Sequence, residues 1–179
     1  MARAKLRLGV SACLLGQEVR WDGAHKRDAL IVDVLGRSVE WVPVCPEVEV
    51  GMGVPREPIR LVGDPAAPRL LGERSGNDHT GAMLRFSETR VRELERLDLD
   101  GWVTKKDSPS CGLGRVRVHQ PGGGPPRAEG VGLFVRVLAA RMPLLPIEEE
   151  DRLDDPAVLR SFLEWMRAYR RSKAAAARR

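Results

Sequence analysis

Residues 5–16, Lys5-Leu6-Arg7-Leu8-Gly9-Val10-Ser11-Ala12-Cys13-Leu14-Leu15-Gly16, carry the pattern that decides the fold. Leu6, Leu8 and Val10 alternate with Arg7 and Gly9, the period of a strand. The run then breaks into small residues around Cys13, a turn at the strand's carboxyl end. The same order of events recurs twice. Val39 to Cys45, VEWVPVC, reads as a second strand ending on a cysteine, and Pro43 pushes it to a sheet edge or to its own end. Gly101-Trp102-Val103-Thr104 reads as another, running into Lys105-Lys106-Asp107-Ser108-Pro109-Ser110-Cys111-Gly112.

Helical patterns lie between and after these strands. Residues 26–36, KRDALIVDVLG, predict a helix with Leu30, Val34 and Leu35 on one face and Gly36 as its stop. Residues 78–97 carry Met83, Leu84, Val91, Leu94 and Leu97 at helical spacing. Residues 132–141 predict a further helix. Asp155 and Pro156 cap and open a last one, with Leu159, Phe162, Leu163, Met166 and Tyr169 on its inner side. Ile59–Val62 and Arg69–Leu71 suggest a hairpin across Gly63-Asp64-Pro65, and 142–147 a short extended piece. Residues 119–129, HQPGGGPPRAE, read as a flexible loop. The acidic run 148–151 reads as a solvated lead-in near the positive end of the last helix. Strands alternating with helices predict an α/β fold, a mostly parallel Rossmann-like sheet with helices on both faces. Residues 1–147 form the expected domain, 148–171 a helix packed on it, and 172–179 a frayed tail.

The 179 residues, 42% hydrophobic and 31% charged, suffice for one cored domain and are too apolar for a disordered chain. No run approaches the roughly 18 apolar residues of a membrane span. Met1 to Leu6 show no leader pattern, so cytoplasm is the expected compartment. The net charge of +5 suits an anionic ligand or RNA without demanding either, and the scattered positive charges do not favour nucleic acid. Three cysteines, Cys13, Cys45 and Cys111, are too few and odd in number for a disulfide framework. No CxxC pair is present, which removes zinc ribbons and thioredoxin-like motifs.

Ligand crevices in open parallel sheets lie beyond the carboxyl ends of the strands. Three thiols that each follow a strand are therefore expected at one rim. A lone cysteine is as readily a small core hydrophobe, but a core cysteine has no need of Gly, Pro and Ser beside it. Three thiolates are soft ligands for zinc or an iron–sulfur cluster, and spacing leaves that choice open. Three ligands with an open fourth position mark a reactive centre. His25, His79 and His119 lie in polar, unpatterned stretches and read as surface residues.

Three segments together resemble the thiouracil desulfidase (TudS) family, long catalogued as a domain of unknown function. They are Val10-Ser11-Ala12-Cys13-Leu14-Leu15-Gly16 with Val19-Arg20-Trp21-Asp22-Gly23; Pro43-Val44-Cys45-Pro46-Glu47-Val48 with Gly51-Met52-Gly53-Val54-Pro55-Arg56; and Lys105 with Ser108-Pro109-Ser110-Cys111-Gly112. Trp21 stands where that family more often has tyrosine. The resemblance implies a 4Fe–4S cluster held by Cys13, Cys45 and Cys111, with one iron open to the substrate's sulfur. It implies removal of sulfur from a thiolated uracil, giving uracil and sulfide without net redox change. Related proteins with an extra C-terminal domain act on thiolated tRNA; the length here favours a small thiolated pyrimidine, as base, nucleoside or nucleotide.

The chemistry asks for particular side chains. A soft thiocarbonyl sulfur prefers thiolate-ligated iron to a hard cation, and water must attack the adjacent carbon. Glu47, two residues after Cys45, is the candidate base, a role that contributes about 100- to 10,000-fold; its other reading is a salt-bridge partner. Ser108 and Ser110 are placed to orient the water or bond a base carbonyl, or else to cap turns. Lys105 is a candidate for stabilising negative charge. Asp22 bonds a pyrimidine N–H or closes the turn before Gly23. Arg56 and Arg60 are candidates for a substrate phosphate. Two other functions compete. A sulfur-inserting enzyme normally binds ATP, yet neither Gly51-Met52-Gly53 nor residues 121–126 form a phosphate loop. A non-catalytic cluster-binding or redox-sensing module is the other; full protein ligation is usual there, so three cysteines count against it.

Overall fold

The computed structural model describes residues 5–176. Met1–Ala4, on which part of the leader reading rests, lie outside them, as do 177–179 at the end of the expected tail. Four strands form an all-parallel sheet: β1 (Leu6–Ser11), β2 (Val39–Val44), β5 (Gly101–Thr104) and β8 (Ile147–Glu149), in the order β2-β1-β5-β8. β2 is an edge strand, which is where a sheet tolerates Pro43. Alternation sends Leu8, Val10 and Val103 to one face, against Ile31, Leu35, Phe162 and Met166. It sends Val44, Trp102 and Ile147 to the other, against Val91, Leu94, Phe134 and Leu138. The second face is covered by α2 (Thr80–Glu95) and α3 (Leu133–Arg141), the first by α4 (Pro156–Ala176). The expected α/β fold, a parallel sheet flanked by helices, is what forms.

Gly9 is required where it stands. A Cβ there would lie 1.9 Å from Trp102 Cε3, so the indole of β5 packs flat on bare β1 backbone.

Four expectations change. Residues 26–36 are not one helix: a π-helical turn, Leu30–Val34, runs into a 3-10 turn, Leu35–Arg37. Ile31, Val32 and Val34 are β-branched and stiff in a helix, and the Asp28 carboxylate accepts the Ile31 N–H at 2.9 Å, starting the turn late. Ile31 and Leu35 point inward, whereas Val34 is exposed. The stretch 119–129 is not a free loop. β6 (Val116–His119) and β7 (Arg127–Gly130) form an antiparallel pair that extends the β3 (Ile59–Val62)/β4 (Arg69–Gly72) hairpin into a second sheet, ordered β4-β3-β6-β7. In β7 only Gly130 is buried, so no apolar alternation announces it. The helix α4 opens as expected, with Asp155 Oδ1 accepting the Ala157 N–H at 2.8 Å, but it continues past Ser172 to Ala176. Lys173 holds this end through Asp98 Oδ1 at 2.6 Å and the Leu99 carbonyl at 2.7 Å. Finally, the run 148–151 is not solvated: Glu149 and Glu150 are buried. Among the described residues no helix is long and apolar enough to cross a membrane.

Candidate functional site

The chain passes from β1 to β2 on one side and returns through β5 on the other, so the strand order reverses at β1 and opens a crevice at the carboxyl ends. A cavity of about 490 Å³ occupies that position. Ser11 and Cys13 reach it from β1, Cys45 and Glu47 from β2, and Lys105, Ser108 and Cys111 from β5; Arg20, Trp21, Lys26 and Arg56 complete the wall. All three cysteines are free thiols, Cys111 buried and the other two half-buried.

Each thiol is seated by local backbone chemistry. Cys13 lies in a 3-10 turn, Ala12–Leu15, closed by Gly16 in the left-handed region at φ 91°. Its carbonyl accepts the Lys26 N–H at 2.9 Å, tying off the loop that carries Trp21. Cys45 precedes the single-turn helix α1 (Pro46–Glu49), with proline at the first helical position. Its N–H donates to Glu49 Oε1 at 3.0 Å, and its thiol lies 3.7 Å from the Val19 carbonyl. The Cys111 loop is pinned from within, since Ser108 Oγ accepts the N–H groups of Ser110 (3.3 Å) and Cys111 (3.1 Å). The first amides of α3 finish it: Leu133 and Phe134 donate to the Pro109 and Ser110 carbonyls at 3.1 and 3.0 Å. The Thr104 hydroxyl donates to the Cys111 carbonyl.

The thiols burden one another electrostatically. Burial, then the charge of Cys45, pushes Cys13 up to about 11. Burial chiefly, with a further contribution from Glu47, raises Cys45. Burial, then Cys45 and Glu47, raises Cys111, against a hydrogen bond with Ser11. Three sulfurs in one wall thus need a cationic partner to exist as thiolates. Among the described residues no three His, Cys, Asp or Glu side chains are placed to hold a metal ion. One zinc with Zn–S bonds of about 2.3 Å would need sulfurs roughly 3.8 Å apart. In a cluster each thiolate binds a different iron, so its thiols need not crowd one centre. The donor set, soft and three in number, fits such a group.

The other sequence candidates divide. Glu47 Oε2 receives Arg56 Nε at 2.9 Å and Nη2 at 2.7 Å, and Glu47 Oε1 receives Ser110 Oγ at 3.0 Å. Arg56 also donates to the carbonyls of Val19 (2.9 Å) and Gly53 (2.7 Å). Its guanidinium is therefore committed to Glu47 and the loops rather than open to a phosphate. Lys105 lines the cavity, its ammonium held by Glu150. Arg60 is an exposed β3 residue outside the cavity wall. Asp22 accepts the Ala24 N–H at 3.1 Å and pairs with Arg20, closing its turn. Ser110 is buried behind Glu47. Sequence reasoning missed Ser11, whose hydroxyl accepts the Lys105 N–H at 3.0 Å and so ties β1 to the Cys111 loop. A small polar residue at the end of a central parallel strand was its signal.

The sequence profile of 2-thiouracil desulfurases matches residues 8–150 of this chain. The chain belongs to the 2-thiouracil desulfurase family. Within that family match lie β2 to β8, all of β1 but its first two residues, the three cysteines and the Glu47–Arg56–Ser110 triplet, while α4 lies beyond it. A solved structure, of a 4Fe–4S-dependent thiouracil desulfidase TudS, is similar with a TM-score of 0.70 and 32% identity, covering 88% of this chain and 99% of that one. YbbK of Bacillus subtilis (strain 168), an uncharacterized protein, is 30% identical over 112 residues, 60% of this chain and 74% of its own. The resemblance inferred from the cysteine segments therefore holds, and it extends over most of the chain.

Proposed function

We propose that this protein removes sulfur from a small thiolated uracil, as base, nucleoside or nucleotide, by hydrolysis without net redox change. In balance, the thiocarbonyl carbon gains an oxygen from water, its bond to sulfur breaks, and the sulfur leaves as sulfide with water's protons. The observation that carries the reading is the meeting of three free thiols and a clamped carboxylate in one cavity at the sheet's switch point. Cys13, Cys45 and Cys111 would hold a 4Fe–4S cluster, which when bound supplies a thiophilic iron that polarises the thiocarbonyl.

The chain's own side chains do the rest. Glu47 takes the proton of the attacking water. Arg56 and Ser110 hold its two oxygens in fixed directions, so no search of rotamers precedes proton transfer. Lys105, at the end of β5, lines the cavity with its ammonium held by Glu150, and supplies positive charge for the departing sulfide. Trp21 offers a planar apolar surface at the mouth.

Anaerobic incubation with 4-thiouracil and 4-thiouridine monophosphate tests this directly. Loss of thiocarbonyl absorbance with stoichiometric sulfide is expected. Cluster-loaded protein that leaves both compounds intact would sink the proposal and favour a binding or sensing module.

A further inference from the structure

The end of β8 delivers two carboxylates into the interior. Glu150 Oε2 accepts the Lys106 N–H at 2.7 Å, and its other oxygen meets the Lys105 ammonium. Glu149 Oε1 accepts the Leu113 N–H at 3.0 Å, and its Oε2 accepts from Arg115 Nη2 at 2.6 Å. Lys105–Lys106 and Leu113–Arg115 are the two ends of the loop that carries Cys111. Register explains the reach: β8 lies alongside β5 with Thr104 opposite Glu149, so the next acid falls beside the loop's first residues.

Carboxylates buried this far are costly unless fully partnered. Glu149 and Glu150 are 3% and 7% exposed, and neither lines the cavity. Their partners are main-chain and cationic groups at the two loop ends, not one neighbouring helix. We propose that Glu149 and Glu150 are positioning residues for the third thiol: each grips one end of the 105–115 loop and together they hold Cys111 toward Cys13 and Cys45. The inference rests on the reading of Cys111 as a cluster ligand, and it extends that reading to residues that touch neither cluster nor substrate.

The test uses the full chain. Before cluster reconstitution, site-resolved alkylation should show Cys111 labelled faster in Glu149→Ala and Glu150→Ala, by about tenfold or more relative to Cys13 and Cys45, since each variant loses two charge-assisted bonds and one alone is worth about tenfold. Amide exchange should quicken at Lys106 in the second variant and at Leu113 in the first. Glu150→Gln keeps an acceptor for the Lys106 amide and should restore most of the protection. After reconstitution, both alanine variants should release iron to a chelator faster than wild type. Unchanged labelling ratios would overturn the proposal. So would equal acceleration of all three thiols, which is general loosening. Should the alanine variants not fold, Arg115→Ala at the exposed end gives the same ratio test with a smaller expected rise. Wild-type protein that takes up no iron would remove the ligand reading, while the labelling ratios would still decide the positioning.

Discussion

Replacing Arg56 by lysine keeps the charge beside Glu47 and removes the fork that shapes it. The guanidinium makes four hydrogen bonds, two to Glu47 Oε2 at 2.9 and 2.7 Å and one each to the carbonyls of Gly53 and Val19 at 2.7 and 2.9 Å. An ammonium is a compact point donor and cannot satisfy all of these directions. Arg56 is 6% and Glu47 14% exposed, so water replaces little of what is lost. With each bond to a charged group worth about 1.5–3 kcal/mol, losing two of four costs Arg56→Lys about 3 kcal/mol. For a chain of this length that is a fall in Tm of roughly 6–12 °C. Arg56→Met leaves the carboxylate without its cation and should cost about 3–5 kcal/mol. Catalysis suffers separately, because a misplacement of about 1 Å can cost about 100-fold. We expect kcat for 4-thiouracil to fall by about 10- to 100-fold in Arg56→Lys while KM moves little. Urea unfolding and anaerobic turnover measure the two effects. Stability within about 0.5 kcal/mol of wild type, the usual range for a surface change, together with an unaltered kcat, would refute the clamp.

Three further outcomes follow from the same geometry. Cys13→Ser, Cys45→Ser and Cys111→Ser should each lower the iron and acid-labile sulfide bound after anaerobic reconstitution; a variant with full content is not a ligand. Gly9→Ala places a methyl 1.9 Å from Trp102 Cε3 and should cost about 1–3 kcal/mol or more in urea unfolding; wild-type stability would mean the indole has another place to go. Asp78, just before α2, is held down to about 2, first by the Thr80 hydroxyl and then by the Thr80 amide. Its folded value lies below the ordinary 3.8, so its contribution is complete above that pH and drains away as pH falls toward 2. Asp78→Asn should therefore be less stable at neutral pH and lose less between those limits; superimposable stability–pH curves would show that the contact contributes nothing.

The carboxyl-end cysteines were legible in the sequence because a parallel strand writes its own ending: alternation in Leu6–Val10, then small residues, then a thiol. Helices α2, α3 and α4 were legible for a similar reason, since their apolar spacing and the Asp155–Pro156 start are local signals. The second sheet was half legible. Its β3/β4 hairpin follows from Gly63-Asp64-Pro65, whereas β7 has an exposed Arg-Ala-Glu face and forms because β6 offers it hydrogen bonds. The candidate site divides along the same line. Glu47 and the three thiols were found by their positions after strands. That Arg56 belongs to Glu47 could not be read from residue type, which suits a phosphate equally well.

Local pattern by itself determined β1, β2 and β5, the helices α2, α3 and α4, the parallel sheet and the rim where Cys13, Cys45 and Cys111 gather. Only the tertiary structure decided which charges are buried and with whom. Glu149 and Glu150 look like solvated acids until β8 docks beside β5 and brings them to Lys105, Lys106 and Arg115. The reason is physical: burying a carboxylate is decided by the partner that meets it, and here that partner comes from a distant stretch of chain.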